Sequence, residues 1–131
     1  MTKILVVDDE QSILHSTELL LTDLGFQVVT TTVPGEVLAT LRRERPDLLL
    51  QDVRMPGLDL EELLRAIRAD PLVGRTPVLL FSATMDLYEI QDRVGAAGFL
   101  EKPFKPTELL QAIAKVLQAK GQGMVHEATR A

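Results

Sequence analysis

Polar groups able to do chemistry follow apolar runs at four places in this sequence. Asp8-Asp9-Glu10 follows Ile4–Val7, Asp52 follows a leucine-rich run, Ser82 follows Val78–Phe81, and Lys102-Pro103 follows Gly98–Glu101. Clustered carboxylates repel one another unless a cation or a proton compensates. An oxygen-only set without His or Cys favours a hard cation, and Mg²⁺ is the usual one where phosphate chemistry follows. Such a cation would keep Asp9 and Asp52 ionised and leave positions for water and phosphate oxygens. Lys102 would bring a second positive charge, and Ser82 a hydroxyl donor. The combination suits phosphoryl transfer, in which positioning and charge neutralisation supply most of the catalysis.

These residues act together only if the fold brings them to one edge. Five β-branched or leucine-rich runs recur along the chain: Lys3–Val7, Phe26–Thr31, Asp47–Gln51, Pro77–Ser82 and Gly98–Glu101. Each has the length and composition of a buried strand. Segments with helical spacing follow each run. Ile13, Thr17, Leu20 and Leu24 share one face, which Gly25 terminates. Val37, Leu38 and Leu41 begin a second stripe ended by Pro46, and Leu60, Leu63, Leu64 and Ile67 a third ended by Asp70-Pro71. Leu87, Ile90 and Val94 form the fourth, stopped by Gly95, and Leu109, Leu110, Ile113, Val116 and Leu117 the fifth. Strand–helix alternation five times over forces parallel neighbours and right-handed crossovers. Five strands are too few for an eight-stranded barrel, which leaves a single open, doubly wound α/β sheet, (βα)5. Ligands of such sheets sit outside the carboxyl ends of the strands, where the acids, Ser82 and Lys102 all fall.

Composition limits what else the chain can be. Its 131 residues are enough for one compact domain, and 46% hydrophobic with 25% charged is an ordinary globular balance. The domain is expected over residues 1–120, with 121–131 as a flexible tail lacking apolar periodicity. The absence of cysteine excludes disulfides, thiolate metal sites and a cysteine nucleophile. Fourteen Lys and Arg against nineteen Asp and Glu give a net charge of −5, which argues against direct contact with nucleic acid or an anionic membrane. The longest apolar runs are far shorter than the roughly 20 residues of a membrane span, so no membrane insertion is expected. Met1-Thr2-Lys3 leads straight into a strand with no room for a signal peptide, and a cytoplasmic location is expected.

Three segments carry a family resemblance. Ile4-Leu5-Val6-Val7-Asp8-Asp9-Glu10, the run from Pro46 through Asp52 to Met55-Pro56-Gly57, and the run from Gly95 through Phe99 to Lys102-Pro103-Phe104 resemble the receiver domain of two-component response regulators, of the chemotaxis-regulator type. The similarity spans about residues 2–120, and the gaps of 30 residues from Asp52 to Ser82 and 20 from there to Lys102 fit it. The resemblance implies a flavodoxin-like sheet in the order 2-1-3-4-5. It makes Asp52 the phosphoacceptor, charged in a Mg²⁺-dependent reaction by a sensor histidine kinase or a phosphotransfer protein. Asp9 would bind Mg²⁺ directly and Asp8 mainly through water, with Asp52 and the Arg54 backbone carbonyl as further ligands. Lys102 would pair with the phosphoryl oxygens, and Lys102-Pro103 would be a cis peptide. Ser82 would hydrogen-bond the phosphoryl group, and Phe99 would change rotamer as the loop moves. That would switch the face formed by the fourth helix, fifth strand and fifth helix for a downstream protein or for self-association. The chain would thus be a signalling module with built-in autophosphorylation and autodephosphorylation chemistry, not an enzyme in the ordinary sense.

Each assignment has a plainer rival. Asp8 or Asp9 could cap the first helix, though capping accounts for one Asp and not two. Asp52 could be a solvated loop acid, Ser82 a local backbone partner, Lys102 a surface lysine and Phe99 plain core. His15 and His126 form no metal-ligand pattern, and the arginines of Arg42-Arg43-Glu44-Arg45 and Arg65–Arg68 belong to solvated faces. Pro34-Gly35 and Pro56-Gly57 are turns. A phosphorylation-independent scaffold of the same fold would have lost the acids or the lysine. An aspartyl-phosphate hydrolase would want an acid two residues after the nucleophile, where Arg54 stands, and Asp8-Asp9-Glu10 would repel an FMN phosphate. Leu60 replaces a usual glycine, so the third helix is expected to start in the ordinary way. Arg54 and Thr84 are expected to overhang the pocket, with Arg54 setting the lifetime of the phosphorylated form. Gln51 has no role legible in the sequence.

Overall fold

The computed structural model describes residues 1–83 and 95–130, with side chains described to residue 119. Five parallel strands, β1 (Lys3–Val7), β2 (Gln27–Thr31), β3 (Leu48–Asp52), β4 (Val78–Ser82) and β5 (Gly98–Glu101), form one sheet in the order β2-β1-β3-β4-β5. The flavodoxin-like, doubly wound architecture is the one expected. From β1 the chain builds outward to β2 on one side and to β3 on the other. The order therefore reverses between β1 and β3, whose carboxyl ends carry the acids.

The helices are α1 (Gln11–Asp23), α2 (Val37–Glu44), α3 (Leu60–Ala69) and the C-terminal α4 (Pro106–Arg130), with a single 3₁₀ turn (Pro34–Glu36) before α2. The fourth helical stripe read from the sequence (Leu87, Ile90 and Val94), and Thr84, lie outside the described residues. Successive strand residues point to opposite faces, and the core divides accordingly. Ile4, Val6, Leu48, Leu50, Leu79 and Phe81 pack against α1 and α4. Leu5, Val7, Leu49, Val78 and Leu80 pack against α2 and α3 on the other face. Strands buried on both faces are why these runs read as unbroken Val, Ile and Leu.

Two helices depart from expectation in ways that matter. On α1 Thr17 is buried as expected, but Leu14 and Leu21 take the core positions expected of Ile13 and Leu20, and Leu24 is exposed. Ile13 and Leu20 are only partly buried and flank the sheet's carboxyl edge. Helix α4 continues through Gly121 and Gly123 to Arg130, past the expected end near Lys120. Each residue added to an existing helix gains a hydrogen bond without a new nucleation cost, and a glycine opposes this by only about 1 kcal/mol. Helix α3 starts as expected, with Leu60 helical and the side chain of Asp59 accepting from the Glu62 N–H at 3.1 Å. Gly25 has φ 98° and ends α1 as the sequence indicates.

Candidate functional site

The carboxyl ends of β1, β3, β4 and β5 meet at one edge. Carboxylate oxygens of Asp8, Asp9 and Asp52 all lie within 4.8 Å of one another. Asp8 is fully buried and Asp52 nearly so, whereas Asp9 is exposed. Lys102 comes 94 residues after Asp8, yet its Nζ donates to Asp8 Oδ2 at 2.8 Å. The same ammonium stands 3.7 Å from Asp52 Oδ1. The Lys102 N–H donates to the Ser82 carbonyl at 2.9 Å, tying the ends of β4 and β5 together. The peptide between Lys102 and Pro103 is cis.

Helix capping does not explain the acid pair. The N-cap of α1 is Glu10, and no side chain caps it. Asp8 Oδ1 instead accepts from the Glu10 N–H at 2.9 Å, which fixes the carboxylate within the β1–α1 turn. Asp9 makes no such bond among the described contacts and faces solvent.

Burial dominates the state of Asp52, pushing its pKa up to about 6. Lys102 and the Arg54 backbone N–H pull it down, while Asp8 and Asp9 push it up. A buried carboxylate with two like neighbours and one shared ammonium is short of positive charge. The donors are all carboxylate oxygens, close together and partly open to solvent, which fits a hard divalent cation and not a soft metal.

The edge opens into a cleft of about 980 Å³ that runs from Asp52 along α1 to the start of α4. Ile13, Thr17, Leu20, Phe104 and Pro106 form its wall, and Arg54, Ser82 and Lys102 stand at the Asp52 end. Arg54 is exposed there and Ser82 is buried. Phe99 lies elsewhere, half-buried on the opposite face of the sheet against the core shared with α2 and α3. His15 is exposed on α1, and the His126 side chain is outside the described ones.

Two neighbours of the site had no role in the sequence reading. Gln51 is fully buried; its Nε2 donates to the Asp52 carbonyl at 3.0 Å and to Met55 Sδ at 3.5 Å. Its Oε1 has no hydrogen-bond partner among the described residues. Phe81, read only as strand, packs beneath Lys102. A lone glutamine in an apolar strand was the visible signal for the first; nothing in the sequence marks the second.

Comparison with known proteins agrees with this geometry. The profile of the family described as "Response regulator receiver domain" matches residues 4–114. The chain is 39% identical over 121 residues to "Probable transcriptional regulator ycf27" of Pyropia yezoensis, covering 88% of this chain and 47% of that protein. Among solved structures it resembles chemotaxis response regulator CheY4 of Vibrio cholerae, with 35% identity, a TM-score of 0.80, and coverage of 88% and 98% of the two chains. It also resembles the receiver domain of sensor histidine kinase PA1611 from Pseudomonas aeruginosa, with 28% identity, a TM-score of 0.79, and coverage of 89% and 98%. That structure is described with a magnesium ion coordinated in its active site cleft.

The chain spans about half the length of the curated relatives it matches. This corrects one expectation. Relatives named as transcriptional regulators do not support excluding nucleic acid as a partner, because a net charge of −5 describes this domain and not a longer protein. No helix among the described residues is long and apolar enough to cross a membrane. The matched profile, the sheet order and the acid-lined carboxyl edge agree: the chain belongs to the response regulator receiver family, the phosphorylation-based signalling domains of two-component systems.

Proposed function

We propose that Asp52 is the phosphoacceptor of this receiver and that Asp8, Asp9, Lys102 and Ser82 serve its phosphorylation. The observation that carries this reading is the convergence of three carboxylates and one ammonium at the head of the cleft. An Asp52 carboxylate oxygen attacks the phosphorus of a phosphohistidine on a kinase or phosphotransfer protein. The new P–O bond replaces the P–N bond, and the electron pair leaves on the imidazole nitrogen, which takes a proton from solvent. With its pKa near 6, Asp52 is mostly ionised at neutral pH and able to attack.

Asp8, Asp9, Asp52 and the Arg54 carbonyl would hold Mg²⁺, which supplies positive charge to the phosphoryl oxygens when bound. Lys102 stands where it can pass from the carboxylates to a phosphoryl oxygen on Asp52. Ser82 lines the same cleft beside Asp52, where its hydroxyl donates to the phosphoryl group and draws its loop inward. Phe99 follows that movement from the far face of the sheet and alters the surface around β5 for a downstream protein or a second copy. Arg54 overhangs the cleft and slows attack by water on the acyl phosphate. The apolar wall of the cleft receives the phosphodonor, since it leads directly to Asp52. We read the domain as acting in the cytoplasm.

The test is intact mass after incubation with Mg²⁺ and acetyl phosphate, beside Asp52→Asn. A labile phosphoryl adduct that needs Mg²⁺ and is missing from the variant is the expected result. No adduct from acetyl phosphate or from a panel of phosphorylated kinases, together with no Mg²⁺ binding, would establish a phosphorylation-independent scaffold instead.

A further inference from the structure

The ammonium of Lys102 has a third neighbour besides the two aspartates. Its Nζ lies 4.3 Å from the centroid of the Phe81 ring. Phe81 is fully buried, and the Lys102 side chain is only 14% exposed. A cation within about 6 Å of an aromatic face is attracted by the ring quadrupole, and more strongly where water is excluded.

Sheet register explains how they meet. Phe81 pairs with Asp52 on β3 and with Leu100 on β5. Lys102 is two residues beyond Leu100, on the same face and one step along, which is the diagonal cross-strand position. Phe81 thus occupies the strand between the acceptor and the lysine and forms the floor beneath the ammonium. An aliphatic residue there would fill the same core volume but offer the cation nothing.

We propose that Phe81 is a positioning residue for Lys102: its ring face holds the ammonium within reach of both Asp8 and Asp52. The ring attracts the cation without adding negative charge to a pocket that already has three carboxylates. It does not compete for a metal. Lys102 can therefore swing from Asp8 towards a phosphoryl group on Asp52 while keeping one partner throughout. The consequence for rate rests on Asp52 being the phosphoacceptor; the contact itself does not.

Two measurements separate these parts. The first is the proton NMR shift of the Lys102 ε-methylene in the unphosphorylated protein without Mg²⁺, assigned by its loss in Lys102→Arg. Ring current from Phe81 is expected to move it upfield of the other four lysines, and Phe81→Leu to return it among them. The second is the acetyl phosphate phosphorylation rate for Phe81→Leu and for site-specific mono-, di- and trifluorophenylalanine at position 81. Phe81→Leu is expected to lose about three- to thirtyfold. The fluorinated proteins keep the ring's shape, and are expected to slow stepwise with fluorine number while unfolding at the wild-type midpoint. A role in core packing alone would not produce that gradation. An ordinary Lys102 shift in the wild type, or a rate indifferent to fluorination, overturns the proposal. If the wild type takes up no phosphoryl group, the phosphoacceptor reading fails, and the proton shift decides the ring contact by itself.

Discussion

Asp52 and Asp70 are both buried aspartates, yet they stand at opposite ends of the sheet and in opposite electrostatic states. Asp70 precedes β4. Its Oδ1 accepts from the N–H groups of Leu72 at 2.8 Å and Val73 at 3.2 Å, and its Oδ2 from Arg42 Nε at 2.6 Å. The Leu72 N–H, with Arg42 and Val73, holds its pKa below the ordinary carboxylate value in spite of burial. Asp52 closes β3, shares one ammonium with Asp8, and is pushed up to about 6. Burial is common to both; satisfaction is not. A carboxylate whose charge is answered by its own fold holds the structure together. One left short of positive charge is ready for a cation or a phosphoryl group from outside.

The largest break in this contrast should come from Lys102→Met. It removes the cation shared by Asp8 and Asp52, and phosphorylation by acetyl phosphate should slow on the order of 10²–10³-fold, followed by intact mass against time. The change should also move the Asp52 pKa further up, because Lys102 is what chiefly pulls it down.

The pH dependence of stability sharpens the contrast by its sign. In metal-free buffer the native state keeps a proton on Asp52 up to about pH 6, whereas the unfolded chain releases it near 3.8. Its stabilising protonation is present at low pH and is lost as pH rises through 6. Asp52→Asn should therefore be more stable than the wild type at pH 8, by about 3 kcal/mol, with the gap closing by about pH 4. Asp70→Asn should behave the other way. Its charge contributes stability that is fully present above the ordinary carboxylate value, so the variant is weaker at pH 7 and the deficit shrinks only as pH falls below that value through the lowered pKa of the native state. Urea unfolding of the three proteins across pH tests both signs, and parallel curves would abolish the distinction.

Two smaller effects should separate stability from chemistry. A Cβ at Gly74 would sit 2.6 Å from the Asp70 carbonyl and 2.9 Å from that of Arg68. Gly74→Ala should cost about 2 kcal/mol in urea unfolding and leave the phosphorylation rate unchanged. Asp59→Ala removes the α3 cap and should cost about 1 kcal/mol, again with no change in rate.

How much of this was legible beforehand varied with the kind of interaction. All five strands could be read because burial on both faces demands continuous apolar runs, and each starts within one residue of where expected. On α1 Thr17 is buried as its spacing predicts, but Ile13 and Leu20 are as hydrophobic as Leu14 and Leu21, which hold the core positions instead. Hydrophobicity does not say which flank of a helix faces the core and which borders a cleft. Asp8, Asp9, Asp52, Ser82 and Lys102 stood out as polar residues at the ends of apolar runs, and the fold brings them to one edge. Gln51 was visible as an anomaly, but its bonds to the Asp52 carbonyl and Met55 were not.

The five-strand parallel sheet, the edge at which its acids gather and the family to which the chain belongs are all legible along the chain. The sheet and its edge follow from period, spacing and residue type along the chain, and the family from the resemblance of three segments to a known one. It is the folded arrangement that makes Asp8 and not Asp9 the buried partner of Lys102, leaves Asp52 undersatisfied where Asp70 is not, and sets Phe81 under the ammonium. Each of those depends on groups far apart in sequence meeting at a few ångströms in a medium that excludes water, where small differences in distance and burial set the charge.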